Sequence, residues 1–173
     1  LFSVTISNLD YAAVVFVYFL DFATKAFHEQ TVLAPLGAGV FMPETVTGAL
    51  EFRSSRLDVL MNDDGRQVLL RVNSRDFGGR ALAAEFTVHR PDGYESINVV
   101  IPWADDTFQF TSKQPALPAA GSVQLGDERI DFEGFACLDY GRGIWPFSST
   151  WNWASGSGVR NGRTIGLNLG GRW

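Results

Sequence analysis

Residues 149–169, STWNWASGSGVRNGRTIGLNL, read as a β-hairpin. Successive side chains on a strand point to opposite faces, so Trp151 and Trp153 share one face of the first arm. Asn161-Gly162 supplies the two left-handed residues that a tight type I′ turn requires. The return arm, Thr164 to Leu169, places Ile165, Leu167 and Leu169 on one face and Thr164, Gly166 and Asn168 on the other. Just before the hairpin, residues 133–149 are rich in glycine and aromatics. Gly141, Gly143 and Pro146 interrupt any period there, while Phe135, Leu138, Tyr140, Ile144, Trp145 and Phe147 are apolar or aromatic. This segment is expected to be a loop that packs as a plug across an apolar mouth.

Moving outward, the rest of the chain repeats the hairpin's logic. Leu1 to Asn8 alternates apolar and polar residues, the pattern of a half-exposed strand. Tyr11 to Leu20 is apolar on both faces, and its β-branched and aromatic content favours strand over helix. An antiparallel strand apolar on both sides needs two covers: a lumen on one face and a second packed layer on the other. Asp21 to Gln30 reads as a polar connection, and Thr31 to Pro43 as irregular with short strand pieces. A strand is expected over Thr45 to Arg53. Arg56–Asn62 and Arg66–Asn73 form a hairpin around Asp63-Asp64-Gly65. Ala81 to His89 carries Leu82, Ala84, Phe86 and Val88 inward, and Glu95 to Pro102 returns beside it with Ile97, Val99 and Ile101 inward. Thr107 to Ser112 follows, then a linker-like loop over Pro115 to Ala120. Val123–Leu125 and Arg129–Phe132 pair over Gly126-Asp127. Short alternating strands joined by Gly-containing turns make an all-β antiparallel meander, and closing such a meander into a barrel removes its edges.

Composition narrows the function classes. The chain has 173 residues and a net charge of −5, with acids and bases scattered. No basic run offers a footprint for nucleic acid or an anionic membrane surface. Ala12 to Leu20 is far shorter than the roughly 20 residues of a membrane-spanning helix. A lone Cys137 excludes an internal disulfide and fits a reducing, cytoplasmic compartment. His28 and His89 are the only histidines and stand far apart, so no metal site is expected, and no cofactor motif is present. Leu1 falls inside an apparent strand, and Gly170-Gly171-Arg172-Trp173 stops as the next turn begins. The chain therefore reads as one barrel-type domain, 1–173, or a fragment of one, with further strands outside it.

Two stretches, LDYGRGIWPFSSTWNWASGSG (138–158) and GRTIGLNLGG (162–171), resemble the signature of the family called domain of unknown function twenty-eight-zero-four. The match is specific over about the last forty residues, and the early strand ending in Tyr18-x-x-Asp21 fits more loosely. More distantly the chain resembles the AttH, survival-factor and carotenoid-hydratase branch of the calycins. That resemblance implies a lipocalin-like β-barrel, often one of two in tandem, in which this segment packs against remaining strands or a second barrel of the same protein. Carotenoid hydratases carry Asp-His before a Trp-Gly in the comparable stretch. Here the residues are Asp139-Tyr140, and Pro146 follows Trp145, so the best proton carrier of a hydratase is missing.

Candidate chemistry gathers near the C-terminal hairpin. Asp139 is the catalytic candidate, as a general acid. Asp139 and Arg142 together could instead grip a polar ligand group, or staple the loop as an ion pair. An adjacent guanidinium favours the ionised carboxylate, which has no proton to donate. Trp145, Trp151 and Trp153 offer an aromatic platform for a planar ligand, or else barrel core. Tyr18 and Asn168 are candidate polar handles of a cavity, or an ordinary strand end and a solvent-facing side chain. The leading expectation is a binding protein for an apolar small molecule, such as a lipid, steroid or isoprenoid, held in a barrel cavity. The alternatives are a hydratase- or cyclase-like enzyme on an isoprenoid or polyketide-like substrate, and a structural half-barrel without ligand.

Overall fold

In the computed structural model, residues 1–172 are described, and Trp173 lies outside them. The regular elements among them are thirteen strands. In chain order they are β1 (Phe2–Asn8), β2 (Ala12–Leu20), β3 (Phe27–Pro35), β4 (Val40–Phe41), β5 (Gly48–Arg53), β6 (Leu57–Asp63) and β7 (Gln67–Phe77). Then follow β8 (Arg80–His89), β9 (Ile97–Ala104), β10 (Thr107–Leu125), β11 (Glu128–Ile144), β12 (Trp151–Arg160) and β13 (Arg163–Arg172). They form open sheets in the orders β1-β2-β3, β11-β10-β8-β7-β6-β5-β4 with β9 on β10, and β12-β13. The sequence reading treats the chain as one domain or fragment; the strands partition into two compact units, residues 1–87 with 121–132 and residues 88–120 with 133–173.

The first unit holds the main core. Ala13, Val15, Val17 and Phe19 lie on one face of β2 and are buried. They belong to one apolar cluster with Phe52, Leu57, Val59, Val72, Phe77, Leu82 and Val123. Phe2, Phe86 and Phe132 extend it through ring contacts at 5.3 and 5.7 Å. The other face of β2, with Val14, Phe16 and Tyr18, is only partly covered. The two covers expected for this strand are thus one complete and one partial. The β6–β7 hairpin sets Val59 opposite Val72 and Met61 opposite Leu70, on the expected faces. β3 begins at Phe27, inside the stretch read as a polar connection. His28 and Gln30 alternate inward there, and β2 supplies the pairing partner that short polar runs lack alone.

In the second unit three expectations change. Glu95 to Pro102 does not return beside β8; β9 pairs instead with the start of β10, Ile97 opposite Lys113 and Ile101 opposite Gln109. Its Ile97, Val99 and Ile101 are exposed rather than inward. Pro115 to Ala120 is not a linker but the middle of β10. Pro115 falls just beyond Lys113, the last residue paired with β9, and next to Ala116 with φ of 60°. The left-handed Ala116 marks an irregularity in the strand beside the proline, and irregular positions are where a strand tolerates proline. Finally, the plug loop 133–149 is strand as far as Ile144. Gly141 and Gly143 are absent from the positive-φ positions, so they do not turn the chain. A Cβ on Gly143 would sit 2.1 Å from the Phe108 carbonyl oxygen, so glycine here lets β11 press against β10.

Candidate functional site

The site grows from the β12–β13 hairpin. Asn161 and Gly162 have φ of 53° and 72°, the paired left-handed residues of the expected turn. The arms run longer than the alternation suggested, with ten residue pairs from Arg160–Arg163 to Trp151–Arg172. One face carries Ile165, Leu167 and Leu169, all exposed, opposite Gly158, Gly156 and Ala154. The other face carries Trp151, Trp153, Ser155 and Ser157 with Gly166 and Asn168, and it lies against β10 and β11. The Ala116 N–H donates to Ser157 Oγ at 3.0 Å. A Cβ on Gly166 would touch Pro115 and Ala116 at 3.0 and 3.1 Å, so the small residue admits β10.

On this side of the hairpin the polar groups converge. Lys113 of β10 ion-pairs with Asp139 of β11, its side chain 13% exposed against 38% for the carboxylate. Thr111 Oγ1 lies 3.4 Å from Asp139 Oδ1 and 3.3 Å from the Tyr140 carbonyl oxygen. Lys113 Nζ also stands 5.2 Å from the centre of the Trp153 ring, a cation–π distance. Trp153 Nε1 donates to Asn168 Oδ1 at 2.7 Å. Below them, burial pushes the Cys137 thiol up; a hydrogen bond with Ser155 opposes this, Asp139 adds to it and Lys113 opposes it. Burial likewise raises the Tyr94 phenol, whose hydroxyl donates to the Pro115 carbonyl oxygen at 2.7 Å. A protonated thiol is a poor nucleophile, and Asp139 is engaged by an ammonium and a hydroxyl.

Of the residues singled out from sequence, Asp139, Trp153 and Asn168 come together, and Trp151 shares the hairpin face. Arg142 lies three positions beyond Asp139 on the same strand, and alternation puts it on the opposite face. The pair expected between them is instead Lys113–Asp139. Trp145 follows the end of β11 and is partly exposed. Tyr18 belongs to the first unit, its ring 5.8 Å from Phe27. Lys113, Thr111, Ser155 and Tyr94 escaped the sequence reading. Carrying the alternation of Thr111 one step further, past Ser112, would have found Lys113. A shallow recess of about 630 Å³ at the hairpin tip, lined by Arg160, Asn161, Arg163, Thr164 and Ile165, contains none of the candidates. Among the described residues no cluster of three or more His, Cys, Asp or Glu could hold a metal, and no helix is long and apolar enough to cross a membrane.

The Lys113–Asp139 pair makes a test that needs no ligand. Breaking a buried pair costs roughly 3–5 kcal/mol and an exposed one under about 1 kcal/mol. With one partner largely covered and the other partly open, Asp139→Ala is expected to destabilise by about 2 kcal/mol. Lys113→Met should cost less, because the remaining carboxylate reaches water. A double-mutant cycle by urea denaturation should return a coupling of about 1 kcal/mol; strict additivity would mean that the pair holds nothing together.

The chain belongs to the family described as Domain of unknown function (DUF2804), which it matches over residues 1–173. No curated protein and no solved structure matches it.

Proposed function

We propose that this chain binds an apolar small molecule of the lipid, steroid or isoprenoid class. Its strands form part of the wall of a lipocalin-like cavity, completed by further strands or a second barrel of the same protein. The observation that carries the reading is the setting of Trp153. Its ring is half-exposed, rests over the Lys113 ammonium and has its N–H engaged by Asn168. An apolar surface with a few oriented polar groups at one end is the usual make-up of a small-molecule site. Trp151, on the same face, extends the apolar part.

The experiment is native mass spectrometry and solvent extraction of the full-length protein, followed by tryptophan-fluorescence titration with fatty acids, steroids and carotenoids. Release of a hydrophobic molecule, or saturable quenching that Trp153→Ala abolishes, is the expected result. An empty protein that responds to none of the panel would end this reading. It would favour the structural half-barrel, a second reading supported by the exposed Ile165, Leu167 and Leu169 on the outer hairpin face. The enzyme reading gains nothing from Asp139, which is engaged by Lys113 and Thr111.

A further inference from the structure

Strand β9 is open along one edge. It pairs with β10, and among the described residues no strand lies on its other side. Ile97, Val99, Val100 and Ile101 are exposed. Residues 96–104 carry no charge between Glu95 and Asp105, so the charged side chains that usually guard an edge are missing. Pro102, opposite Phe108, fixes which backbone groups look outward. A proline has no N–H and sits on an edge strand with its nitrogen turned away from the neighbour. Backbone groups alternate along a strand, so Asn98 and Val100 also direct their N–H and C=O away from β10, while Ile97, Val99 and Ile101 bond to it. Pro102 thus blunts only the end of the edge, and Asn98 and Val100 each offer a donor and an acceptor along its middle.

From this we infer that β9 pairs antiparallel with the β9 of a second copy, about a two-fold axis through Val99. Directly opposite residues share a sheet face, so such an axis must run through a residue. With Val99 on the axis, Asn98 and the partner's Val100 form a hydrogen-bonded pair, as do Val100 and the partner's Asn98. Every outward group of these two residues is then used, and Pro102 is left at the rim opposite Ser96. On the other face Ile97 meets the partner's Ile101, and Glu95 meets an uncharged Trp103. An axis through Val100 would set Asn98 against Pro102, which has no N–H to return, and Glu95 against Asp105, a like charge. An axis through Asn98 would set Glu95 against Ile101. The segment is its own complement in one register, and it is uncharged in a chain whose net charge of −5 otherwise opposes self-association.

The test is sedimentation velocity of the full-length protein over a concentration series, where a reversible dimer is expected. Val100→Pro removes one outward N–H from each copy and leaves the β10 ladder alone. It should weaken the dimer about tenfold or more, with an unchanged circular-dichroism spectrum reporting that the fold is kept. If Val100→Pro does not fold, Val99→Lys gives the same readout by setting two ammonium groups opposite each other on the axis. Val99→Cys should cross-link the copies under mild oxidation, because a residue on the axis meets its own counterpart at a Cα separation of about 4.5 Å. Val100→Cys and the unaltered protein should not cross-link. A monomer at every concentration, a dimer indifferent to both Val100→Pro and Val99→Lys, or cross-linking through Val100→Cys rather than Val99→Cys overturns the assignment.

Discussion

Gly121→Ala is expected to destabilise the first unit by about 3 kcal/mol or more, the upper end of what overpacking costs. A Cβ at this position would lie 2.1 Å from the Glu85 carbonyl oxygen and 2.7 Å from the Phe86 Cα. Both obstacles are backbone atoms of β8, so no rotamer change relieves the contact. The strands must separate, and the core residues beyond them, Val123 and Leu125, must shift with β10. Gly134 provides the control: it lies in β11, has no positive φ, and a Cβ there meets nothing within 4 Å. Gly134→Ala should be neutral or slightly stabilising, since it narrows the unfolded ensemble without strain. Urea midpoints for the two variants settle the matter. A Gly121→Ala protein as stable as Gly134→Ala would mean that β8 and β10 are not as close as the geometry requires.

Phe52→Ala should cost about 3–5 kcal/mol, the range for deleting a buried aromatic. Phe52 is 1% exposed and joins the cluster of Val15, Val17, Leu57 and Val72. Small residues on β2 cannot collapse into the space that a phenyl ring leaves, so most of the cavity term remains. Phe41, in β4 opposite Glu51, is 62% exposed. Phe41→Ala should change stability by under about 0.5 kcal/mol. The contrast separates burial from residue type, because both are phenylalanines one strand apart. Similar losses for the two would show that Phe52 is not a core side chain.

Much of the strand pattern was legible because it is local. Alternation is a property of one strand, and it placed Val59, Val72, Leu82, Ala84 and Val88 inward without any knowledge of their partners. Turns were legible for the same reason: Asn161-Gly162 and Gly126 announce left-handed backbone by residue type alone. The candidate site was half legible. Asp139, Trp153 and Asn168 stand out by their chemistry, but nothing within residues 138–168 points to Lys113, which arrives from β10.

By itself, then, the amino-acid sequence determined that the chain is all-β and antiparallel, where most strands run, and which hairpin face bears Trp151, Trp153 and Asn168. These follow from period-two alternation and from φ > 0 residues, each decided within a few neighbouring positions. The tertiary structure alone decided that Gly141 and Gly143 serve close approach rather than turning, that Pro115 sits inside β10, that β9 pairs forward with β10, and that Asp139 meets Lys113 instead of Arg142. Each of these depends on which strand lies alongside. A glycine that opens a turn and a glycine that admits a neighbouring carbonyl look identical until that neighbour is in place.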